Sequence, residues 1–434
     1  MTPHDHYRSR LTDPDDALAF IGSGMNVAMG MATAEPPALL DALARRVDKA
    51  ALEDLRLWYF HSLDAAGRSV LRPDMLDRVR PHCMFLSHVE RALIREWPAD
   101  ARTGPVEFVP VAFSASVELL TRRVPLDACI TTVSPMDRNG WFTFGTSNDY
   151  TAAAARSARR LIVEVNPNMP RVFGDSLLHV SEVDAIVESA TPLPEVSCGT
   201  PTPEELAIAD IIAGMIEDRA CLQMGVGTLP AAVCGRIEDR RDMGIHTELM
   251  TPALARLVEC GAVTNRAKTT HHGRSVFTFA MGDAPFYAFL DDNPAFHSLP
   301  VDIVNDPRHI AKNDNVVSVN GTLQIDLGGA CNSEHLLGRQ YSGAGGQLDF
   351  VRGASASRGG KSIIACQSTA RDGTVSRIVP SLDGPVTTPR NDTHIIVTEH
   401  GWVDLRGKSA SQRADALIGL AHPRFRDDLA NSLR

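Results

Sequence analysis

Short apolar runs alternate along the chain with longer stretches whose apolar residues recur every three or four positions, the pattern of buried strands between amphipathic helices. Near the start, "TDPDDALAFIGSGMNVAMGMATAEPPALLDALARR" predicts a proline-initiated helix, an apolar strand ending at Met29, a turn at Gly30 and a second helix opened by Pro36 and Pro37. The text "TPEELAIADIIAGMIEDRACLQMGVGTLPAAVCGRI" repeats that order, with a strand ending at Met224, a turn at Gly225 and a helix opened by Pro230. A further apolar run comes after each, "LRLWYF" in the first half and "DMGIHT" in the second.

Between the two copies, "TPLPEVSCGTPTPEE" carries Pro192, Pro194, Pro201 and Pro203 and little apolar content, which reads as a linker. It closes on a capping box, Thr202 with Glu205 three residues later and Pro203 in the first helical position. The expectation is an α/β protein of two related halves, residues 1–192 and 203–434, each a mostly parallel sheet covered by helices. Ligands of such sheets sit at the carboxyl ends of the strands. If "CLQM" and "GIHT" are parallel strands joined by the helix "LPAAVCGRI", then Gly225, Gly227 and Glu248 share one edge. The matching place in the first half holds His61 and Ser62 and no acid.

Composition narrows the classes. A chain of 434 residues suits two domains of about 100–200 residues each. A net charge of −10 argues against nucleic-acid binding, and no run approaches the roughly 20 apolar residues of a membrane span. The N-terminal text lacks the basic-then-apolar order of a signal peptide, so a cytoplasmic location is expected. The cysteines form no CxxC pair, and the adjacent His271 and His272 do not converge as ligands do, so no metal is expected.

Candidate chemistry centres on Glu248. A glutamate at a strand end is ordinarily a solvated charge or an ion-pair partner. Beside the turn "MGVGTLP", whose backbone N–H groups can hold an oxyanion or a phosphate, it becomes a candidate nucleophile. Glu334 in "CNSEH" and Glu399 in "VTEHG" remain rivals. The segment 320–361 is glycine-rich, which lets backbone approach a ligand closely. Its "GAGG" follows no apolar strand, so a dinucleotide fold is not indicated, and "GGKS" lacks the first glycine of a P-loop, with Ser355 in that place. Arg352, Arg358 and Lys361 come next without an intervening acid, either a cradle for a phosphorylated cofactor or a solvated basic loop. No GxSxG serine elbow is present.

The strings "VSPMDRNGWFTFGTSNDY", "QMGVGTLPAAV", "GIHTEL", "NSEHLLGRQYSGAGGQLDF" and "VTEHGWVDLRGKSASQRADALIGLAHPRFRDDL" resemble the acetyl-CoA hydrolase/transferase family, in its 4-hydroxybutyrate CoA-transferase-like branch. That resemblance implies two open α/β domains of the CoA-transferase type, the second carrying the nucleophile. It implies a CoA-transferase that moves CoA from an acetyl-CoA or succinyl-CoA type donor to a short carboxylate such as 4-hydroxybutyrate, succinate or itaconate. An acyl-CoA hydrolase on the same scaffold is the alternative. By resemblance Glu248 is the nucleophile and forms a glutamyl-CoA thioester. Gly225, Val226, Gly227, Thr228 and Leu229 form one CoA-binding and oxyanion segment, and Ser342, Gly345 and Gly346 a second. Lys361 or Arg371 supplies a basic contact to the CoA phosphates. Coenzyme A is then both substrate and covalent intermediate, the partners are small molecules rather than nucleic acid or membrane, and a homodimer or higher homo-oligomer is expected. Where many relatives carry Ser-Asp-Gly after the glutamate, this chain has Thr251, Pro252 and Ala253.

Overall fold

Strand β1, Asn26–Met29, is buried at every position because parallel neighbours and helices cover both its faces. The computed structural model describes residues 2–97, 104–197 and 199–433. The chain divides into two compact units, one of residues 1–196 with 277–303 and the other of residues 197–276 with 304–434. Residues 277–303, expected in the second half, thus cluster with the first. Cys198 of the linker lies outside the described residues.

The first unit is built on a seven-stranded sheet. Its strands are β1, β2 (Leu55–Tyr59), β3 (Val79–Cys83), β4 (Glu107–Phe108), β5 (Ala128–Val133), β6 (Leu161–Val165) and β7 (Ala185–Glu188). They lie in the order β7-β6-β5-β1-β2-β3-β4, every pair parallel. Helix α1, Pro37–Ala50, opens at the predicted proline and turns Leu39, Leu40, Leu43 and Val47 into a core that also holds Val27 and Leu57. Truncating one of these leucines to alanine costs about 2–5 kcal/mol.

The second unit repeats the plan with six strands. They are β8 (Cys221–Met224), β9 (Gly244–Ile245), β10 (Val316–Gly321), β11 (Lys361–Ala365), β12 (Ile395–Thr398) and β13 (Gly401–Asp404). Their order is β9-β8-β10-β11-β12-β13, with only the last pair antiparallel. The sequence β9-β8-β10-β11-β12 matches β2-β1-β5-β6-β7 of the first unit in both chain order and spatial order. The repeat expected from two helix-strand-glycine-helix strings is therefore a repeat of whole sheets.

Helix α2, Pro203–Ala213, carries the predicted capping box: Glu205 N–H donates to Thr202 Oγ1 at 3.2 Å, and Thr202 N–H donates to Glu205 Oε2 at 2.9 Å. The other oxygen of Glu205 accepts from Thr228 Oγ1 at 2.7 Å, tying this cap to the start of α3, Thr228–Cys234. Helix α3 is the crossover between β8 and β9, as the sequence predicts, and α4, Pro252–Glu259, comes next with Thr251 as its N-cap.

Candidate active site

Strands β8 and β9 run side by side, Cys221 opposite Gly244 and Leu222 opposite Ile245. Their carboxyl ends therefore lie on one edge, and register places the residues after each strand there. After β8 comes the turn Gly225 to Leu229. Gly227 adopts φ +117°, a conformation that side-chain-bearing residues rarely adopt, and it caps α3. Val226 is exposed at the tip of the turn.

After β9 come His246, Thr247 and Glu248. Side chains hold both backbone groups of Ile245: Asn265 Oδ1 accepts its N–H at 2.9 Å, and Lys268 Nζ donates to its carbonyl at 2.7 Å and to that of Arg274 at 2.6 Å. Burial lowers the Lys268 pKa to about 8. The strand end is thus pinned by a loop rather than left to fray.

Glu248 remains partly accessible as a residue, while its carboxyl group is enclosed. Asn305 Nδ2 donates to its Oε2 at 2.6 Å. Gly346, the N-cap of helix α5 (Gln347–Ala356), lies so close that a Cβ there would collide with both Glu248 Oε2 and Asn305 Nδ2. Burial raises the Glu248 pKa to about 7, opposed by the Asn305 amide and the Gly346 N–H and reinforced by the Asp349 carboxylate on α5. A carboxyl group so tuned is half ionised near neutrality and sits at a helix N-terminus, which favours its anion.

The cavity along this edge has a volume of about 330 Å³. Its walls include Val226, Gly227, Thr228 and Leu229 from the first turn, Asn320 and Gly321 at the end of β10 with Thr322 after it, Ser333, Gln367 after β11, and Arg377. Glu248 does not line it. The connection runs through the glycine-rich loop: Ser342 Oγ donates to the carbonyl of cavity-lining Ser333 at 3.4 Å, and four residues later Gly346 abuts Glu248. Ser342, Gly345 and Gly346 thus belong to the segment that touches the cavity wall at one end and Glu248 at the other, and all three are buried.

Other sequence expectations are not brought to this edge. Lys361 begins β11, at the opposite end of the strand from the cavity, and gives its Nζ to the Met215 carbonyl at 2.8 Å and to Glu217 at 3.2 Å. Arg371 is exposed at the turn of the hairpin formed by 369–370 and 375–376 and does not line the cavity. The basic run is no cradle either. Arg352 pairs with Asp392 at 3.0 Å and Arg358 with Asp314, acids supplied from distant chain positions. Arg377 is the cation that lines the cavity, with its guanidinium donating to the carbonyls of Thr369 and Leu323. The rival acids are spent on structure: Glu334 accepts from Gln340 and Thr387, and Glu399 from the N–H and hydroxyl of Ser368.

Asn305 was not singled out by the sequence. It stands 57 residues from its partner in "VDIVNDP", where an asparagine before Asp-Pro reads as a turn signal. Another cavity, of about 600 Å³, lies in the first unit around Tyr7, Met136 and Glu188 and holds none of the candidate residues. Among the described residues no three His, Cys, Asp or Glu side chains gather as metal ligands, and no helix is long and apolar enough to cross a membrane.

Residues 1–196 match the model of the acetyl-CoA hydrolase/transferase N-terminal domain, and residues 282–433 that of the corresponding C-terminal domain. The chain belongs to the acetyl-CoA hydrolase/transferase family. Within this family it is 42% identical to succinyl-CoA:cyclohexane-1-carboxylate CoA transferase of Geobacter metallireducens, over 99% of this chain and 96% of that one. It is 39% identical to 4-hydroxybutyrate coenzyme A transferase of Clostridium kluyveri, over 99% and 98%. The crystal structure of RipA from Yersinia pestis superposes with a TM-score of 0.97 at 55% identity, covering 100% of this chain and 98% of that one. The activity of this family member is transfer of coenzyme A between an acyl-CoA and a short-chain carboxylate, with coenzyme A as its substrate.

Proposed function

We propose that Glu248 is the nucleophile of this CoA transfer. The supporting observation is its carboxyl group, held by the Asn305 amide and the Gly346 backbone at a strand edge that continues into the cavity. Glu248 attacks the thioester carbonyl of the donor, the C–S bond breaks, and a mixed acyl-glutamyl anhydride and CoA thiolate form. The thiolate then attacks the glutamyl carbonyl, releasing the donor's acid and leaving a glutamyl-CoA thioester. An incoming carboxylate attacks that thioester, and the same two steps in reverse return free Glu248 and the new acyl-CoA. One thioester is exchanged for another, so the exchange is close to balanced in energy.

Asn305 Nδ2 and the Gly346 N–H are the donors placed to stabilise charge developing on the glutamyl oxygens; losing one such donor costs about 3–4 kcal/mol. Coenzyme A lies along the cavity against the turn 225–229 and the loop 342–346. Arg377 takes the phosphate contact that the resemblance gave to Lys361 or Arg371. The donor is acetyl-CoA or succinyl-CoA, and the acceptor a short carboxylate such as 4-hydroxybutyrate, succinate or itaconate; the names of the relatives support succinyl-CoA as donor and 4-hydroxybutyrate as acid. A cytoplasmic homo-oligomer completes the proposal, with mass measurement by light scattering as its check.

Glu248→Ala is expected to abolish transfer while CoA still binds. Turnover at the wild-type rate in that variant moves the assignment elsewhere. Product analysis with and without acceptor acid decides between transfer and hydrolysis: thioester loss independent of the acceptor overturns transfer.

A further inference from the structure

His246 and Glu248 stand two residues apart just beyond the end of β9. Both meet one short segment. His246 Nε2 lies 2.8 Å from the Val304 carbonyl oxygen, and the next residue, Asn305, donates its amide to Glu248. A carbonyl only accepts, so the imidazole carries its proton on Nε2. The lone pair then sits on Nδ1, which is buried without a partner.

The charged and titratable groups facing this ring are Lys268, His271 and His309, and Phe350 of α5 packs edge-on against it with centroids 6.3 Å apart. Burial first, and then the Lys268 charge, push the His246 pKa down to about 3. The ring is therefore neutral throughout the working range and moves no proton. A buried imidazole nitrogen without a partner costs stability, and an aliphatic side chain of similar volume would avoid that cost. What the imidazole supplies in return is a single donated hydrogen bond, one residue from the group that holds the carboxylate.

We infer that His246 is a positioning residue of the transfer reaction: by holding the Val304 carbonyl it sets the Asn305 amide against Glu248. The inference rests on Glu248 being the nucleophile. Because the Asn305 amide lowers the Glu248 pKa and Asp349 raises it, slackening Asn305 leaves Asp349 and burial less opposed.

The test is steady-state CoA transfer and binding of free coenzyme A for His246→Gln, His246→Asn and His246→Leu, each alone and combined with Asn305→Ala. Glutamine places a donor N–H at the height of the native Nε2, asparagine one bond short, and leucine none. Loss of the donor is expected to lower kcat roughly tenfold or more, the effect of one misplaced hydrogen bond. The Kd for coenzyme A should stay within about twofold, because the cavity is lined by other elements. The acid limb of the kcat profile should move to higher pH, and His246→Gln should recover most of the rate. On the Asn305→Ala background the leucine substitution should add less than about twofold, the mark of two residues acting through one contact. Additive losses, an asparagine variant equal to the glutamine one, or an unmoved acid limb would overturn the inference and leave His246 a packing residue. If the leucine variant does not fold, the glutamine–asparagine comparison decides alone. Glu248→Ala keeps the two ideas apart: activity there removes the nucleophile, whereas an inactive Glu248→Ala with additive His246 effects removes only the positioning role.

Discussion

Gly346→Ala adds one carbon at the closest approach in the site. Gly346 has φ −98° and ψ 15°, open to any residue, so the substitution acts through its Cβ and not through backbone strain. That Cβ would lie 3.1 Å from Glu248 Cδ and inside the 3.0 Å limit from both Glu248 Oε2 and Asn305 Nδ2. The carboxylate must retreat by about 1 Å or more, and a displacement of that size at a reacting group costs roughly 100-fold in rate. The displaced oxygen also loses its charge-assisted bond from Asn305, worth about 1.5–3 kcal/mol. Steady-state transfer should therefore show kcat down about 100-fold. Gly419→Ala in helix α6, Ala410–Leu420, is the control: nothing lies within 4 Å of its added Cβ, and it should keep full activity and gain up to about 1 kcal/mol of stability. Wild-type kcat in Gly346→Ala would refute the placement of the reacting carboxylate beside this backbone.

The nucleophile must be ionised, and its pKa is raised to about 7, so kcat should rise with pH through an acid limb near 7 and fall below it. The same shift affects stability in the opposite sense. Folded Glu248 holds its proton to higher pH than the unfolded chain does, so its contribution declines as pH rises from about 4.5 to 7. Glu248→Gln should therefore melt higher than wild type at pH 8, by a stability difference on the order of 1–3 kcal/mol, and show no gain at pH 4. Equal melting at pH 8 would show that the buried carboxylate carries no such cost. Arg377→Ala should raise KM for acyl-CoA about tenfold, the loss of one charged contact, whereas Lys361→Ala should leave it unchanged. The reverse pattern would return the phosphate contact to Lys361.

The βαβ core of the second unit was legible because local signals agreed. A largely apolar "CLQM", a glycine that must take positive φ, and a proline-bearing helix all point to one geometry. Glu248 was legible for the same reason, since strand register alone carries it to the edge where Gly225 lies. Contacts made across long sequence gaps left no trace. Asn305 reaches Glu248 through folding of a segment that reads as a plain turn. The basic run of Arg352, Arg358 and Lys361 looked free of acids because Asp392, Asp314 and Glu217 arrive from elsewhere in the chain. The proline-rich linker marks one passage between the halves, and nothing in the local pattern of residues 277–303 announces that they cluster with the first unit.

If Glu248 is the nucleophile, its side chain becomes covalently joined to coenzyme A during turnover. Incubation with acyl-CoA in the absence of acceptor, with intact-mass measurement and then peptide mapping after borohydride reduction, tests this directly. The expected result is a CoA adduct on the wild-type chain and a reduced side chain at residue 248. A modified residue elsewhere, or turnover with no adduct at any time, would contradict it.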